Sequence, residues 1–139
     1  MTAGDGAPYC EPESERGEMC RSPSLDGWLG ELKAGAGAAG VGMYLVHNGV
    51  VRGRSRTGKT VGGMVLAVDR AQLAGVLEKA GRRQGMLAVR AWINEGRLAV
   101  GDDIMRVLVA GDIRENVFPA LQDLVREIKT AVVRETELP

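Results

Sequence analysis

Hydrophobic residues recur at two different spacings along the chain, and these spacings predict its helices and strands. After the capping residue Ser24, apolar side chains follow at helical spacing at Leu25, Trp28, Leu29 and Leu32. The run AGAGAAG (residues 34–40) then predicts a flexible joint, because glycine disfavours a continued helix.

Two runs rich in β-branched residues come next. VGMYLVHNGVVRG (residues 41–53) predicts a strand that bends or bulges at Asn48-Gly49, and TVGGMVLAV (residues 60–68) predicts a second strand. The polar segment RSRTGK lies between them, so we expect the two strands to pair as a hairpin with a long loop.

A second helix is predicted from Asp69, which caps it together with Gln72 at the third helical position. It should end at Gly81 or Gly85. Its apolar face is formed by Leu73, Val76, Leu77 and Ala80.

The second half of the domain contains three strand-like runs and a final helix. MLAVRAWI, RLAV and DIMRVLVAG are separated by turn formers, so we expect a meander. Asp112 and Glu115 have the spacing of a capping box for the last helix, in which Pro119 predicts a kink or a restart. Its apolar face is Val117, Leu121, Leu124 and Ile128.

The predicted order of elements, β-β-α-β-β-β-α, is typical of an α+β domain with two amphipathic helices on a mainly antiparallel sheet. At 139 residues the chain has room for one such domain, predicted over residues 25–139. Residues 1–24 are poor in large apolar side chains, and we expect them to form a disordered acidic tail.

Composition and charge exclude several classes of function. Residues 1–24 carry five acidic and two basic side chains, a net charge of −3, so the remainder carries +3, too little for a nucleic-acid surface. The chain has no apolar run of membrane-helix length and no signal-peptide pattern, so we expect a cytoplasmic protein without a membrane partner. Cys10 and Cys20 have no further ligands nearby, and neither a metal site nor a cofactor is expected.

Gly53–Thr60, GRSRTGKT, matches the phosphate-loop pattern G-x-x-x-x-G-K-[ST] in every position. That chemistry requires a helix after the loop, whose N-terminus and backbone amides face the phosphates. The β-branched residues and paired glycines of TVGGMVLAV disfavour a helix there. The sequence therefore favours a cationic hairpin loop, which still offers charge to an anion, over a nucleotide-hydrolysing site.

Two stretches resemble a known family. GVVRGRSR (residues 49–56) is similar to the strand-end G-x-V-R segment of the large, catalytic subunit of molybdopterin synthase. EGRLAVGDDIMRVLVAG (residues 95–111) resembles that family's G-x-L-x-V-G-[DE] turn and strand, and a helix with similar spacings follows it. The likeness spans about residues 25–135, and the chain is identified as a divergent member.

This resemblance implies an α/β-hammerhead type of α+β fold and a homodimer. It also implies a small ubiquitin-like partner whose C-terminal Gly-Gly tail carries a thiocarboxylate and transfers sulfur to cyclic pyranopterin monophosphate, an anionic pterin. In such sites cations hold phosphate and carboxylate groups, and a lysine serves as acid, base or acyl acceptor.

The resemblance also assigns residues. Lys129 matches the family's catalytic helix lysine, Arg52 the strand-end arginine and Arg114 the arginine that reaches across the dimer, both as substrate-binding groups. Without the resemblance, Arg52 would be read as part of a solvated turn, Lys129 as an exposed helix residue and Arg114 as a residue near a helix start.

Three positions depart from the family pattern. Ile113 stands where the family has histidine, and His47 where it has an aromatic residue. The segment corresponding to P-[FIW]-W-K-[KR]-E is VVRET (residues 132–136), so a second catalytic lysine is missing. Arg134 can supply its charge for substrate binding but cannot act as a nucleophile or proton shuttle at neutral pH.

Two functional hypotheses follow. The first is an enzyme that makes molybdopterin by sulfur transfer, with Lys129 catalytic and Arg52, Arg114 and Arg134 binding substrate. The second is a catalytically impaired homologue that binds the small partner or a pterin without turnover. His47, the only histidine, is expected to be a packed or half-exposed strand residue.

Overall fold

The structure is a computed structural model that describes residues 22–139. Residues 1–21 lie outside the described residues, and with them Cys10, Cys20 and most of the predicted tail. No helix within residues 22–139 combines the length and the apolar character that crossing a membrane requires.

Three α-helices are present: α1 (Leu25–Ala34), α2 (Arg70–Gly81) and α3 (Arg114–Glu127). Two of the three predicted caps are confirmed, since the Ser24 hydroxyl accepts from the Gly27 amide and the Asp69 carboxylate accepts from the Gln72 amide. Each bond satisfies an amide that would otherwise lack a partner in the first turn of the helix. The helical periodicity and these caps therefore located α1 and α2 correctly.

Six strands form two antiparallel sheets of three strands each. The first has the order β1-β5-β3 and the second the order β4-β2-β6. Their bounds are β1 (Met43–Val50), β2 (Gly63–Val68), β3 (Met86–Ile93), β4 (Gly96–Ala99), β5 (Asp103–Gly111) and β6 (Val133–Leu138). The α+β class is confirmed, but its strands are divided between two sheets.

The predicted β1–β2 hairpin is wrong. β1 pairs with β5 along its length, whereas β2 lies between β4 and β6 in the other sheet. The two arms of the connecting loop are joined by an isolated bridge between Arg54 and Thr60 and by a few hydrogen bonds, among them that from the Val61 amide to the Gly53 carbonyl. The predicted bulge is confirmed, because the β1–β5 register shifts between Gly49 and Val50 and turns the chain away from the first sheet.

The predicted meander is also wrong, although all three of its strands exist. β3 pairs directly with β5, and the short strand β4 between them in sequence pairs with β2 instead. Leu98 on β4 and Leu66 on β2 are thereby buried, with 5% and 1% of their surface exposed. Burial of these side chains favours closing the core with a second sheet over extending the first.

The start of α3 differs from the predicted capping box. The N-cap residue is Ile113, and the Asp112 carboxylate accepts from the Ile113 amide and the Asn116 side chain. α3 runs through Pro119 without a break. The carbonyl that Pro119 cannot pair with belongs to Glu115, an exposed position where water can replace the missing amide.

The first sheet is covered on both faces. Val107 and Val109 on β5 belong to the main core, which α2 and α3 cover. Arg106 points to the opposite face, where its guanidinium donates to the Pro23 carbonyl at 2.6 Å, just before α1. Because side chains alternate along a strand, β5 is buried on both sides, with no exposed surface from Val107 to Ala110.

We expect Leu66→Ala to lower the free energy of unfolding by about 2–5 kcal/mol, because it leaves a cavity where the second sheet meets the core. Val65→Ala on the other face of β2, where 37% of the side chain is exposed, is the control and should cost less than about 1 kcal/mol. Urea unfolding of both variants measures the difference, and equal losses would contradict this packing.

Candidate functional site

An open cavity of about 640 Å³ lies where the β1–β2 loop meets the second sheet and the segment after α3. Its volume suits a small organic ligand. Four cationic side chains and two carboxylates share its wall with apolar residues. The lining residues are Val50, Arg52, Arg54, Ser55, Arg56, Thr57, Val61, Met64, Ile104, Lys129, Glu135 and Glu137.

Arg52 follows the bulge at the end of β1 and is held in place by its neighbour Val51. Val51 is 2% exposed, and its backbone donates to the Asp102 carbonyl and accepts from the Gly101 amide, both at 2.9 Å. The side chain of Arg52 itself is exposed and lines the cavity. Arg52, which the resemblance identified as a substrate-binding residue, therefore lies on the wall of the cavity.

Lys129 lies in a π-helical segment (Ile128–Val132) that continues α3. Ile128 and Val132 are buried at 0% and 3% exposure, and between them Lys129 is exposed on the cavity wall. The Thr130 hydroxyl donates to the Arg126 carbonyl at 3.0 Å and satisfies one of the last carbonyls of the helix. Segments of this type are frequent at functional sites, because they redirect a side chain without ending the helix.

The four cations of this cavity share its wall with two carboxylates, but they form no ion pair with any residue that the structure describes. Among residues 22–139, no ion pair or side-chain hydrogen bond involves Arg52, Arg54, Arg56 or Lys129. Four positive and two negative side chains give the wall a formal charge of +2. Like charges gathered without partners repel one another, and a bound anion relieves that repulsion.

The two carboxylates come from β6, which the sequence did not identify as a strand. Glu135 and Glu137 line the cavity. Arg134, the second residue of β6, lines a different surface depression together with Asp69 and Arg70. The period of two along a strand accounts for this separation. Arg134 therefore does not share the cavity with Lys129 in this single chain.

Arg114 also lies away from the cavity. It is the first residue of α3, its side chain is 79% exposed, and its guanidinium pairs with the neighbouring Glu115 at 3.3 Å. The resemblance implies a role across a dimer. Its exposure leaves the guanidinium accessible to a second molecule.

His47 lies on β1 on the same face as Leu45 and close to the cavity. Burial, and secondly the positive charge of Lys129, lower the pKa of His47 below its usual 6.5. Its Nε2 atom is buried without a hydrogen-bond partner, and a side-chain carbon at Gly49 would approach that atom to 3.3 Å. The expectation of a packed or half-exposed strand residue is confirmed, because His47 is half-buried on β1.

Sequence reasoning missed four residues of the cavity wall. Arg54 and Arg56 follow Arg52 within the loop that its composition already marked as cationic, and this composition is the signal that could have identified them. Glu135 and Glu137 lie two residues apart, but their direction became clear only with β6. Among residues 22–139 no group of three or more His, Cys, Asp or Glu side chains is placed to hold a metal ion.

The described residues thus form an α+β domain with an open cavity whose wall bears four cationic and two acidic side chains. The sequence profile described as MoaE protein matches residues 28–131, about three quarters of the chain. The chain therefore belongs to the MoaE family, the large subunit of molybdopterin synthase. This family assignment supports a role in molybdenum cofactor biosynthesis. No curated protein sequence matches the chain.

Solved structures with the same fold include three bacterial proteins. Molybdopterin synthase from Staphylococcus aureus is 17% identical, with a TM-score of 0.66 and coverage of 84% of this chain and 86% of that one. A MoaE protein from Burkholderia ambifaria is 21% identical, with a TM-score of 0.65 and coverage of 85% and 84%. A chain in a complex of subunits 1 and 2 of molybdopterin-converting factor from Helicobacter pylori is 16% identical, with a TM-score of 0.61 and coverage of 84% of this chain and 79% of that one.

The lowered pKa of His47 predicts a stability that depends on pH. Because the unfolded chain binds this proton more tightly than the folded chain, the free energy of unfolding should fall as the pH drops below 6.5. His47→Phe removes the titrating group and should flatten the profile between pH 7.5 and 5.5. Thermal unfolding of both proteins at pH 7.5 and pH 5.5 measures this difference in stability.

His47 is the chain's only histidine, so no other imidazole contributes to that window. The carboxyl groups of Asp112 and Asp123, whose pKa values are lowered from 3.8, affect stability only at more acidic pH. An equal loss of stability in wild type and His47→Phe would contradict the assignment.

Proposed function

We propose that this protein catalyses sulfur transfer to cyclic pyranopterin monophosphate, forming molybdopterin with a thiocarboxylated small subunit. The observation that carries the proposal is the meeting of Arg52 and Lys129, far apart in sequence, in one cavity where neither side chain forms an ion pair with another of residues 22–139. These are the residues to which the family resemblance gave a substrate-binding and a catalytic role.

The chemistry of the wall matches the parts of a phosphorylated pterin. Arg52 offers a planar fork of donors to phosphate or carboxylate oxygens. Glu135 and Glu137 offer acceptors to the amino and ring N–H groups of a pterin. Val61, Met64 and Ile104, each 6% exposed, provide an apolar surface against which a flat ring packs.

A small partner is the source of sulfur in this proposal. The Helicobacter pylori relative is a complex of subunits 1 and 2 of molybdopterin-converting factor, which supports an equivalent complex here. The partner's flexible Gly-Gly tail would enter the open side of the cavity. Its thiocarboxylate is an anion, so the +2 wall favours its approach together with that of the substrate.

Lys129 is the proposed catalytic residue. The partner's tail and the substrate exclude water from the cavity, and exclusion of water favours the neutral form of an amine over the charged form. The neutral amine can accept a proton as sulfur is transferred, or accept the acyl group of the tail. Either role requires the Nζ atom at the wall, where the buried neighbours Ile128 and Val132 hold the segment.

Arg114 and Arg134 are proposed as additional substrate-binding groups, and each needs more than this single chain. Arg114 would act in the cavity of a second subunit, which its exposed position at the start of α3 permits. Arg134 would support binding from the rim beside Asp69. Both contributions depend on a dimer or on movement of β6.

Lys129→Ala should reduce molybdopterin formation at least about 100-fold, because it removes the group that takes the proton or acyl transfer. The assay contains purified protein, a thiocarboxylated small subunit and the pterin precursor, with product followed as its fluorescent oxidised derivative. Lys79→Ala on α2, which removes an exposed lysine paired with Glu127, is the matched control and should retain activity. No product from the wild-type protein would refute the proposed enzyme.

A second candidate is a homologue that binds the partner or a pterin without turnover. One observation favours it: the missing second lysine is not replaced by Arg134 at the cavity, where two carboxylates stand instead. A lysine-dependent reaction would then lack half of its usual amines.

Calorimetry separates this candidate from the enzyme. The binding-only protein should bind the small subunit or the pterin precursor with a measurable heat and form no product in the assay above. Absence of binding to both would refute it, whereas binding with turnover would support the enzyme.

A further inference from the structure

The loop that matches the phosphate-loop pattern has a structure of its own. The Ser55 amide donates to the Lys59 carbonyl at 2.8 Å, and the Lys59 amide donates to the Ser55 hydroxyl at 3.1 Å. The Gly58 amide donates to the Ser55 carbonyl at 3.0 Å, and the Val61 amide to the Gly53 carbonyl at 2.9 Å. These backbone donors are therefore occupied inside the loop and cannot cradle a phosphate.

A β-strand, not a helix, follows the loop, which excludes the other part of phosphate-loop chemistry. β2 begins at Gly63, so no helix N-terminus faces the cavity from this segment. Lys59 and Thr60, the residues that give the pattern its specificity, are absent from the cavity wall. The loop thus matches the nucleotide-binding pattern in sequence but not in structure.

The arginines of the same loop do face the cavity. Arg52, Arg54 and Arg56 all line it, and the intervening Gly53 does not. The chain bends at Gly53 and turns at Arg56-Thr57, and with this curvature both Arg54 and Arg56 line the cavity wall together with the intervening Ser55. The bridge between Arg54 and Thr60, and the internal bonds of the turn, hold this arrangement in place.

We propose that Arg54 and Arg56 form a phosphate-binding subsite, so that the loop binds phosphate through its arginines and not through Lys59. Both guanidiniums are free of protein partners within residues 22–139. Ser55 and Thr57 line the same stretch of wall and add hydroxyl groups to it.

Guanidinium chemistry selects this class of ligand. Arginine presents its donors in a fixed plane that matches two oxygens of a phosphate, and it stays charged at every accessible pH. Two such forks on one face suit a phosphate dianion better than a single carboxylate. The subsite rests on the proposed function only in identifying its ligand as the phosphate of the pterin substrate. If Arg54 and Arg56 bind that phosphate, Arg52 and Lys129 are free to contact the end of the pterin that accepts sulfur.

Titration with inorganic phosphate, followed by ³¹P NMR at low ionic strength, tests the subsite directly. Arg54→Gln and Arg56→Gln should each weaken phosphate binding about tenfold, as expected for loss of one charge-assisted contact. Lys59→Gln removes the same charge from the same loop without touching the cavity wall, and it should change the affinity less than about twofold. Circular dichroism checks that each variant is folded.

Three results would overturn the proposal. They are absence of phosphate binding by the wild-type protein, unchanged binding by both arginine variants, and a loss in Lys59→Gln as large as in the arginine variants. In addition, ATP that raises the melting temperature of wild type but not of Lys59→Gln would establish a phosphate-loop site in its place.

The outcome is separable from that of the enzyme assay. If sulfur transfer occurs, Arg54→Gln/Arg56→Gln should raise the KM for the pterin precursor at least about tenfold with little change in kcat, since uniform binding is lost. If the wild-type protein forms no product but phosphate binding still requires both arginines, the proposed reaction fails and the subsite stands.

Discussion

Burial of β5 on both faces is the constraint on which the rest of the structure depends. Its side chains from Val107 to Ala110 have no exposed surface, so the sheet needs a cover on each side. α2 and α3 cover one face. On the other face, Arg106 donates to the Pro23 carbonyl just before α1, and Arg90 pairs with Glu31 of α1. With β1 and β3 on its two edges, β5 leaves no place for β2, β4 and β6, which close the remaining side of the core as a second sheet.

The cavity exists because the chain passes between the two sheets at this point. Val51 and Val61 are buried at the two ends of the β1–β2 loop, and Ile128 and Val132 are buried on either side of Lys129. Burial of these four apolar residues holds the unpaired cations close together, although the cations repel one another. The hydrophobic core therefore sustains a local electrostatic cost, which is a common property of sites that await a charged ligand.

The comparison with the family pattern divides the site into a retained half and an altered half. Arg52 and Lys129 are present and meet in one cavity. The segment that follows Lys129 presents Glu135 and Glu137 to that cavity and turns Arg134 away from it. The cavity wall thus carries three arginines but one lysine, where the family pattern has two. For this reason substrate binding and turnover have to be measured separately for this protein.

The sequence by itself determined the local elements and the family. The Ser24 and Asp69 caps, the bulge near Gly49 and every strand except β6 could be read from periodicity and turn residues, because each depends on neighbours in the chain. Strand partners could not be read in this way, since pairing is decided by which side chains the whole core must bury. For the same reason the inward direction of Glu135 and Glu137, and the separation of Lys59 from Arg54 and Arg56 within one short loop, were decided only by the tertiary structure. A motif records which residues are adjacent, whereas a site depends on where the core directs their side chains.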